Sequence, residues 1–213
     1  MAEPGAGEVP LRIKVTPGRI VFSKVLNDYD RLALSFTSVL RRQRIPHVFV
    51  AGYVALLFGR SRTTEDVDVL MQEISASRFR KLWAALLTEF DCVNTGSPDL
   101  AYSDYLAEDL AIRFARPESF IPNVEVRFAR KYTHLWSLRK AVEVNVNGKK
   151  IPIGPLELQI AYKLHLGSDK DFEDARHLFR LFREHLQEAE ILKALKRLEV
   201  PWDIAREVLG WPP

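Results

Sequence analysis

Hydrophobic positions along the chain change their period several times, and each change marks an element. From Ser23 to Arg44, Val25, Tyr29, Leu32, Phe36, Val39 and Leu40 recur at helical spacing, and Pro46 ends the run. His47 to Val50 and Asp66 to Met71 are apolar runs of strand length. Ser75 or Ser77 caps a helix reaching Phe90, with Phe79, Leu82, Trp83, Leu86 and Phe90 on its buried stripe. Asp91 to Asn94 reads as a third strand and Thr95-Gly96-Ser97-Pro98 as a loop. Tyr102 to Leu110 fits either a short helix or a mobile flap. Ala111 to Ala115 and Val124 to Phe128 are strands joined by a proline-bounded loop. Val142 to Val146 and Lys149 to Ile153 form a hairpin, because Asn147-Gly148 supplies the positive φ angles of a type I′ turn. Leu11 to Val15 is a short strand ended by Pro17-Gly18.

Beyond Pro155 the pattern stays helical: Leu156 to Leu166, Lys170 to Glu184, Ala189 to Leu198 and Trp202 to Leu209. The chain therefore divides into an N-terminal lead (1–20), a mixed α/β core (21–154) and a C-terminal helical region (155–213), with a boundary near Gly154. With 213 residues, 47% of them apolar, the chain can bury a sizeable core. No apolar run reaches the ~18 residues of a membrane span. The first residues lack the basic and apolar regions of a secretory signal. Cys92 is the single cysteine, so no internal disulfide forms, and a cytoplasmic location is expected. A net charge of +3 permits an anionic partner without demanding one. High charge with few cysteines and methionines is the composition expected of a thermophile.

The chemistry concentrates between Val50 and Leu70. An apolar run ends at Ala51-Gly52, a short helical segment follows, and then come Gly59, a basic turn, and two aspartates one residue apart. A strand alternates its side chains, so Asp66 and Asp68 share a face while Val67 and Val69 take the other. Two carboxylates about 6 Å apart repel by roughly 3 kcal/mol at an effective dielectric near 20. A hard divalent cation with oxygen ligands removes that cost and suggests phosphate chemistry. Glu125, in Val124-Glu125-Val126-Arg127-Phe128, has the same alternation and is the leading third acid; Asp109 is its rival. A surface position on a half-buried strand explains Glu125 equally well. The step at Ala51-Gly52 can present backbone N–H groups to a triphosphate, with Arg62 and Thr64 beside it.

Arg41, Arg42 and Arg44 fall in a last helical turn, where the dipole welcomes cations; contact with RNA is the alternative. Lys193, Lys196 and Arg197 read as a solvated helix face rather than an RNA contact. None of the five histidines pairs with Cys or His at zinc-site spacing.

The order of these features resembles the nucleotidyltransferase superfamily of the DNA polymerase β type: a small-residue step, a short helix, Asp-x-Asp, and a third acid on a later strand. More narrowly, Arg62-Thr63-Thr64-Glu65-Asp66-Val67-Asp68 is similar to the Arg-x-Thr-x-Asp-x-Asp run of AbiEii-type abortive-infection toxin nucleotidyltransferases. Pro155 to Leu164 followed by Lys170-Asp171-Phe172-Glu173-Asp174 is similar to their Lys-Leu helix and Lys-Asp-x-x-Asp block. The resemblance spans roughly residues 45 to 185.

It implies a mixed sheet flanked by helices (an α/β, α+β fold), closed by a helical bundle. It also implies transfer of a nucleoside monophosphate from a triphosphate to an acceptor hydroxyl, on RNA, protein or a small molecule. Asp66, Asp68 and Glu125 would hold two Mg²⁺ ions, or Mn²⁺. Ala51, Gly52, Arg62 and Thr64 would hold phosphate. Lys163 would contact the nucleotide, and Asp171 and Asp174 would serve the acceptor or orient that lysine. An antitoxin-like partner is implied as well. Four departures set the chain apart: Ala51 replaces a glycine, Tyr53 follows Gly52, Ser168 stands where many relatives carry arginine, and the third acid is Glu rather than Asp. They leave open a second reading, a nucleotide- or partner-binding protein without turnover. A metal-dependent phosphodiesterase using the same acids is a third.

Overall fold

The computed structural model describes residues 12–211. In chain order its strands are β1 (Lys14–Thr16), β2 (Arg19–Phe22), β3 (His47–Phe49), β4 (Asp66–Met71) and β5 (Asp91–Cys92). There follow β6 (Ile112–Ala115), β7 (Asn123–Phe128), β8 (Val142–Val146) and β9 (Lys149–Ile153). Among the described residues they form one mixed sheet, ordered β1-β2-β8-β9-β3-β4-β7-β6-β5. β3 joins the two halves: it runs antiparallel to β4 and parallel to β9. β4 and β7 are parallel over six residues, Asp66 opposite Asn123 through Met71 opposite Phe128.

The helices are α1 (Asp28–Arg42), α2 (Gly52–Leu57), α3 (Ala76–Leu86), α4 (Pro98–Leu100, continued by a π-type turn over Ala101–Leu106) and α5 (Tyr132–Arg139). The C-terminal set is α6 (Leu156–Leu166), α7 (Asp169–Phe182), α8 (Glu188–Arg197) and α9 (Trp202–Leu209). α1 starts at Asp28 and not at Ser23, because Asn27 and Asp30 close a reciprocal capping box. Val25, expected on its buried stripe, is 91% exposed. Ser75 caps α3, which stops at Leu86 and so is shorter than expected, although Phe90 beyond it is fully buried. Tyr102 to Leu110 begins as helix and is no flap: Ala101 and Leu106 are in the core and the Tyr102 hydroxyl donates to the Ile74 carbonyl.

Two elements have no counterpart in the sequence reading, β2 and α5. β2 lies within the expected lead; it pairs antiparallel with β1 and parallel with β8, burying Ile20 and Phe22. Of the expected strand Leu11 to Val15, Leu11 lies outside the described residues, and the strand itself is Lys14–Thr16.

Alternation gives the central sheet two different faces. Val67, Val69, Ile112, Phe114, Val124 and Val126 are buried in the main core with Phe36 and Val39 of α1 and Phe79 and Trp83 of α3. On the other face Val48, Leu70 and Ala129 pack with Leu138 of α5. That face carries Asp66, Asp68, Asn123 and Glu125.

The C-terminal helices share the main core. Phe58, just after α2, lies edge-on to Phe182 at 4.7 Å and 5.5 Å from Phe22. Lys193 sits over the Trp136 ring and Arg197 over Tyr132, at 5.1 and 4.4 Å. These two cations thus fasten α8 to α5, rather than only decorating a solvated face.

Candidate functional site

Thr64 lies in the irregular stretch just before β4. The Thr64 hydroxyl donates to the Asp66 carbonyl and to its Oδ1, both at 3.2 Å. The Tyr29 hydroxyl of α1 in turn donates to the Thr64 carbonyl at 2.5 Å. Thr64 therefore orients Asp66 in this structure.

In the parallel register Asp68 lies directly beside Glu125, and Glu125 directly beside Arg113 of β6. Glu125 is 8% exposed and faces the same side as the aspartates. The rival acid, Asp109, instead stands 3.7 Å from Lys131.

The Asp68 carboxyl is pushed up to about 7, first by burial and then by the charges of Asp66 and Glu125, with Arg127 and Lys163 pulling the other way. Acids gathered with too little positive charge around them suit a hard divalent cation, and Asp66 and Asp68 fit one. Glu125 fits by position but is engaged. Its Oε2 accepts from Arg113 at 2.7 Å and its Oε1 from Arg127 at 2.5 Å. Among the described residues no three acid, His or Cys side chains form a group that could hold a metal ion. The two guanidiniums explain why Glu125 does not complete one here.

The β3–α2 turn shows what Ala51 and Gly52 do. Ala51 has φ +57° and ψ −132°, a conformation that glycine takes at far lower cost. Its N–H donates to Oε1 of Gln159 on α6 at 3.1 Å. A Cβ on Gly52 would lie 2.9 Å from Nη1 of Arg62, so the glycine makes room for that guanidinium. Tyr53 is fully buried and its hydroxyl donates to Asp30 at 3.2 Å, which ties α2 to α1.

Lys163 and Gln159 are four residues apart and so share one side of α6. Lys163 is buried, with Nζ 2.7 Å from Asp171 and 2.9 Å from Asp174. Asp174 is fully buried and also binds Arg62 and, at 2.7 Å, Arg60. Burial opposes the charge on Asp171, but hydrogen bonds from Lys163 and Ser168 outweigh it and hold its carboxyl below the usual range. Ser168, where an arginine was the expected family residue, is the N-cap of α7. The structure thus brings Arg62, Lys163, Asp171 and Asp174 into one network at the foot of the Asp66–Asp68 face. Asp171 pairs with Lys163, Asp174 pairs with Lys163, Arg60 and Arg62, and both acids are buried.

A cleft of about 270 Å³ opens beside these groups, with Ala51, Asp68, Arg127, His134, Gln159 and Tyr162 in its walls. Burial, and then the charge of Lys131, lower the pKa of His134. A larger cavity, about 620 Å³, lies by the β1–β2 hairpin and contains none of the acids of this face.

Arg60, Arg113, Arg127 and Gln159 were not singled out from the sequence. Gln159 carried a signal, a polar side chain four residues before Lys163 and so on the same side of the helix. Arg60 and Arg113 carried none, because their partners lie on a distant helix and on another strand; Arg127 did carry one, since it stands two residues from Glu125 on the same face of β7.

No protein-family model matches the chain, and no curated protein matches it. Solved structures do. An antigenic nucleotidyltransferase-like protein from Paracoccidioides brasiliensis aligns with a TM-score of 0.53 at 17% identity, over 84% of this chain and 91% of its own. The antibiotic-resistance factor ANT(2'')-Ia aligns with a TM-score of 0.51 at 10% identity, over 85% and 97%. At these identities the likeness is one of fold.

Proposed function

We propose that this chain, which has a nucleotidyltransferase-like fold, transfers a nucleoside monophosphate from a triphosphate to an acceptor hydroxyl and releases pyrophosphate. The observation that carries the reading is the carboxylate row on the open sheet face. Asp68 stands between Asp66 and Glu125, with its pKa raised to about 7, at the wall of a cleft. Magnesium, or manganese, held by Asp66 and Asp68 and joined by Glu125, would supply charge neutralisation at the transferred phosphate. Arg62 and Lys163 meet the phosphate chain, and Asp171 and Asp174 hold those two cations in place. Gln159 fixes the Ala51–Gly52 turn. The rest of catalysis is positioning.

The resemblance of two blocks to AbiEii-type toxins supports RNA as the acceptor and an antitoxin-like partner for the chain. The test is incubation with labelled triphosphates, Mg²⁺ and either total RNA or RNA-free extract. Label should move onto RNA with the wild type and not with Asp68→Asn. Equal transfer by both would remove these acids from the reaction.

A second reading, binding without turnover, rests on one specific observation. Every basic group that would meet phosphate is already paired: Arg62 and Lys163 with Asp174, and Arg113 and Arg127 with Glu125. Calorimetry showing tight Mg²⁺–triphosphate binding with no product after long incubation selects this reading over the first.

A further inference from the structure

On the sheet face opposite Asp66 and Asp68, the outer side of α1 borders a groove of about 550 Å³. Arg31, Ser35, Ser38, Arg41 and Arg42 line it at intervals of three or four residues, so they form one stripe along the helix. Lys149 and Lys150 of β9 add two more cations, and Glu89 is the only acid among the described lining residues.

The cations are lightly held. Arg42 meets Glu89 at 3.0 Å, Lys150 meets Glu143 at 3.0 Å and Arg31 meets Asp28 at 3.0 Å, all in substantially exposed pairs. Such pairs are weak and are readily exchanged for another anion. Lys149 has no acid partner among the described residues.

A second observation points to a ligand. Thr37 lines the groove, is 2% exposed, and its hydroxyl has no hydrogen-bond partner among the described residues. A buried hydroxyl left unpaired costs free energy, and a ligand oxygen entering the groove would satisfy it once the lining side chains yield enough to uncover it.

The dimensions choose among anions. Arg31 to Arg42 spans about 16 Å of helix. One strand of a duplex places a phosphate about every 3.4 Å of axis, so the stripe matches four or five successive phosphates rather than one. Among the described lining residues none is aromatic, so they offer no platform for stacking bases. Leu34 is the one aliphatic residue among them, which gives no wedge for a membrane. Cations interleaved with hydroxyls are the groups that contact sugar and phosphate.

We propose that this groove binds the backbone of a nucleic acid without regard to base sequence, separately from the site on the other face. The test is fluorescence anisotropy of a labelled 20-base-pair RNA duplex, with EDTA present and no triphosphate. The variants are Arg41→Ala/Lys149→Ala/Lys150→Ala together, Thr37→Val and Lys149→Glu, each checked by melting temperature. At about 100 mM salt the triple variant should bind at least ten-fold more weakly, and its log–log salt slope should be shallower by about 2 to 3. Lys149→Glu and Thr37→Val should each weaken binding about three-fold or more. A duplex of a second sequence should bind equally. The proposal is overturned if the triple variant and Lys149→Glu bind RNA as the wild type does. It is also overturned if the wild type binds phosphatidylserine vesicles and not RNA.

Discussion

Asp68 is the residue in which burial and charge disagree most openly. An acid whose pKa rises from the ordinary 3.8 to about 7 in the folded chain keeps its proton longer folded than unfolded. Between about pH 4 and 7 the folded chain therefore holds more protons than the unfolded one, so this group's contribution to stability falls as pH rises. Metal-free Asp68→Asn should melt higher than the wild type at pH 7.5, and the gap should narrow toward pH 5. Thermal melts at the two pH values with EDTA present check this; a gap that widens at pH 5 contradicts it. Ala51 makes a second prediction. Its positive φ strains a side chain that glycine lacks, so Ala51→Gly should stabilise the fold by about 1 kcal/mol, read from urea unfolding. From sequence Ala51 appeared as a departure from the family's glycine. The structure shows it as a strained turn whose N–H is already spent on Gln159.

Among the elements, α7 depends most on a charged contact for its seat. Asp174 is fully buried and ties α7 to Arg60 and Arg62 before β4 and to Lys163 on α6. Removing one partner of a buried ionic cluster strands the others, at a cost of about 3–5 kcal/mol. Asp174→Ala should therefore lower the melting temperature by roughly 6–15 °C for a chain of this size. A change below 2 °C would show that water or other groups already serve these cations. The α6–sheet contact is similarly tight. A Cβ on Gly154 would lie 2.6 Å from Nε2 of Gln159 and 3.3 Å from Oγ of Ser137, with no room to yield without breaking the Ala51 bond. Gly154→Ala should cost about 1–3 kcal/mol, measurable by chemical unfolding. Helices with a clear apolar stripe, α1 and α3, were legible in sequence. α5 was not: among its residues only Trp136 and Ser137 are buried, so no stripe exists to find.

For the whole molecule, the expected boundary at Gly154 is a change of pattern within one continuous core. Ile160, Leu164, Phe179 and Phe182 of the helical region belong to the same buried cluster as Phe22, Phe58 and Val67 of the sheet region. Calorimetry should accordingly show one unfolding transition for the intact chain. Two well-separated transitions would mean that the helical region folds by itself. The same continuity places Gln159, far away in sequence, in the walls of the same cleft as Asp68, with Lys163 close enough for its charge to lower the Asp68 pKa.

Local rules decided much of this protein from the sequence alone. Alternation put Asp66, Asp68 and Glu125 on faces opposite their valines, Asn147-Gly148 turned the hairpin, and the apolar stripes marked α1 and α3. Each of these depends only on the geometry of a few consecutive residues. Tertiary structure alone decided the rest: that β4 and β7 lie side by side in register, and that Arg113 of β6 reaches Glu125. It also decided that Asp174 gathers Arg60, Arg62 and Lys163, and that Gln159 holds Ala51. Those contacts join residues up to 114 positions apart. No local period encodes them, because the energy that selects them comes from burying charges and apolar surface that meet only once the chain is folded.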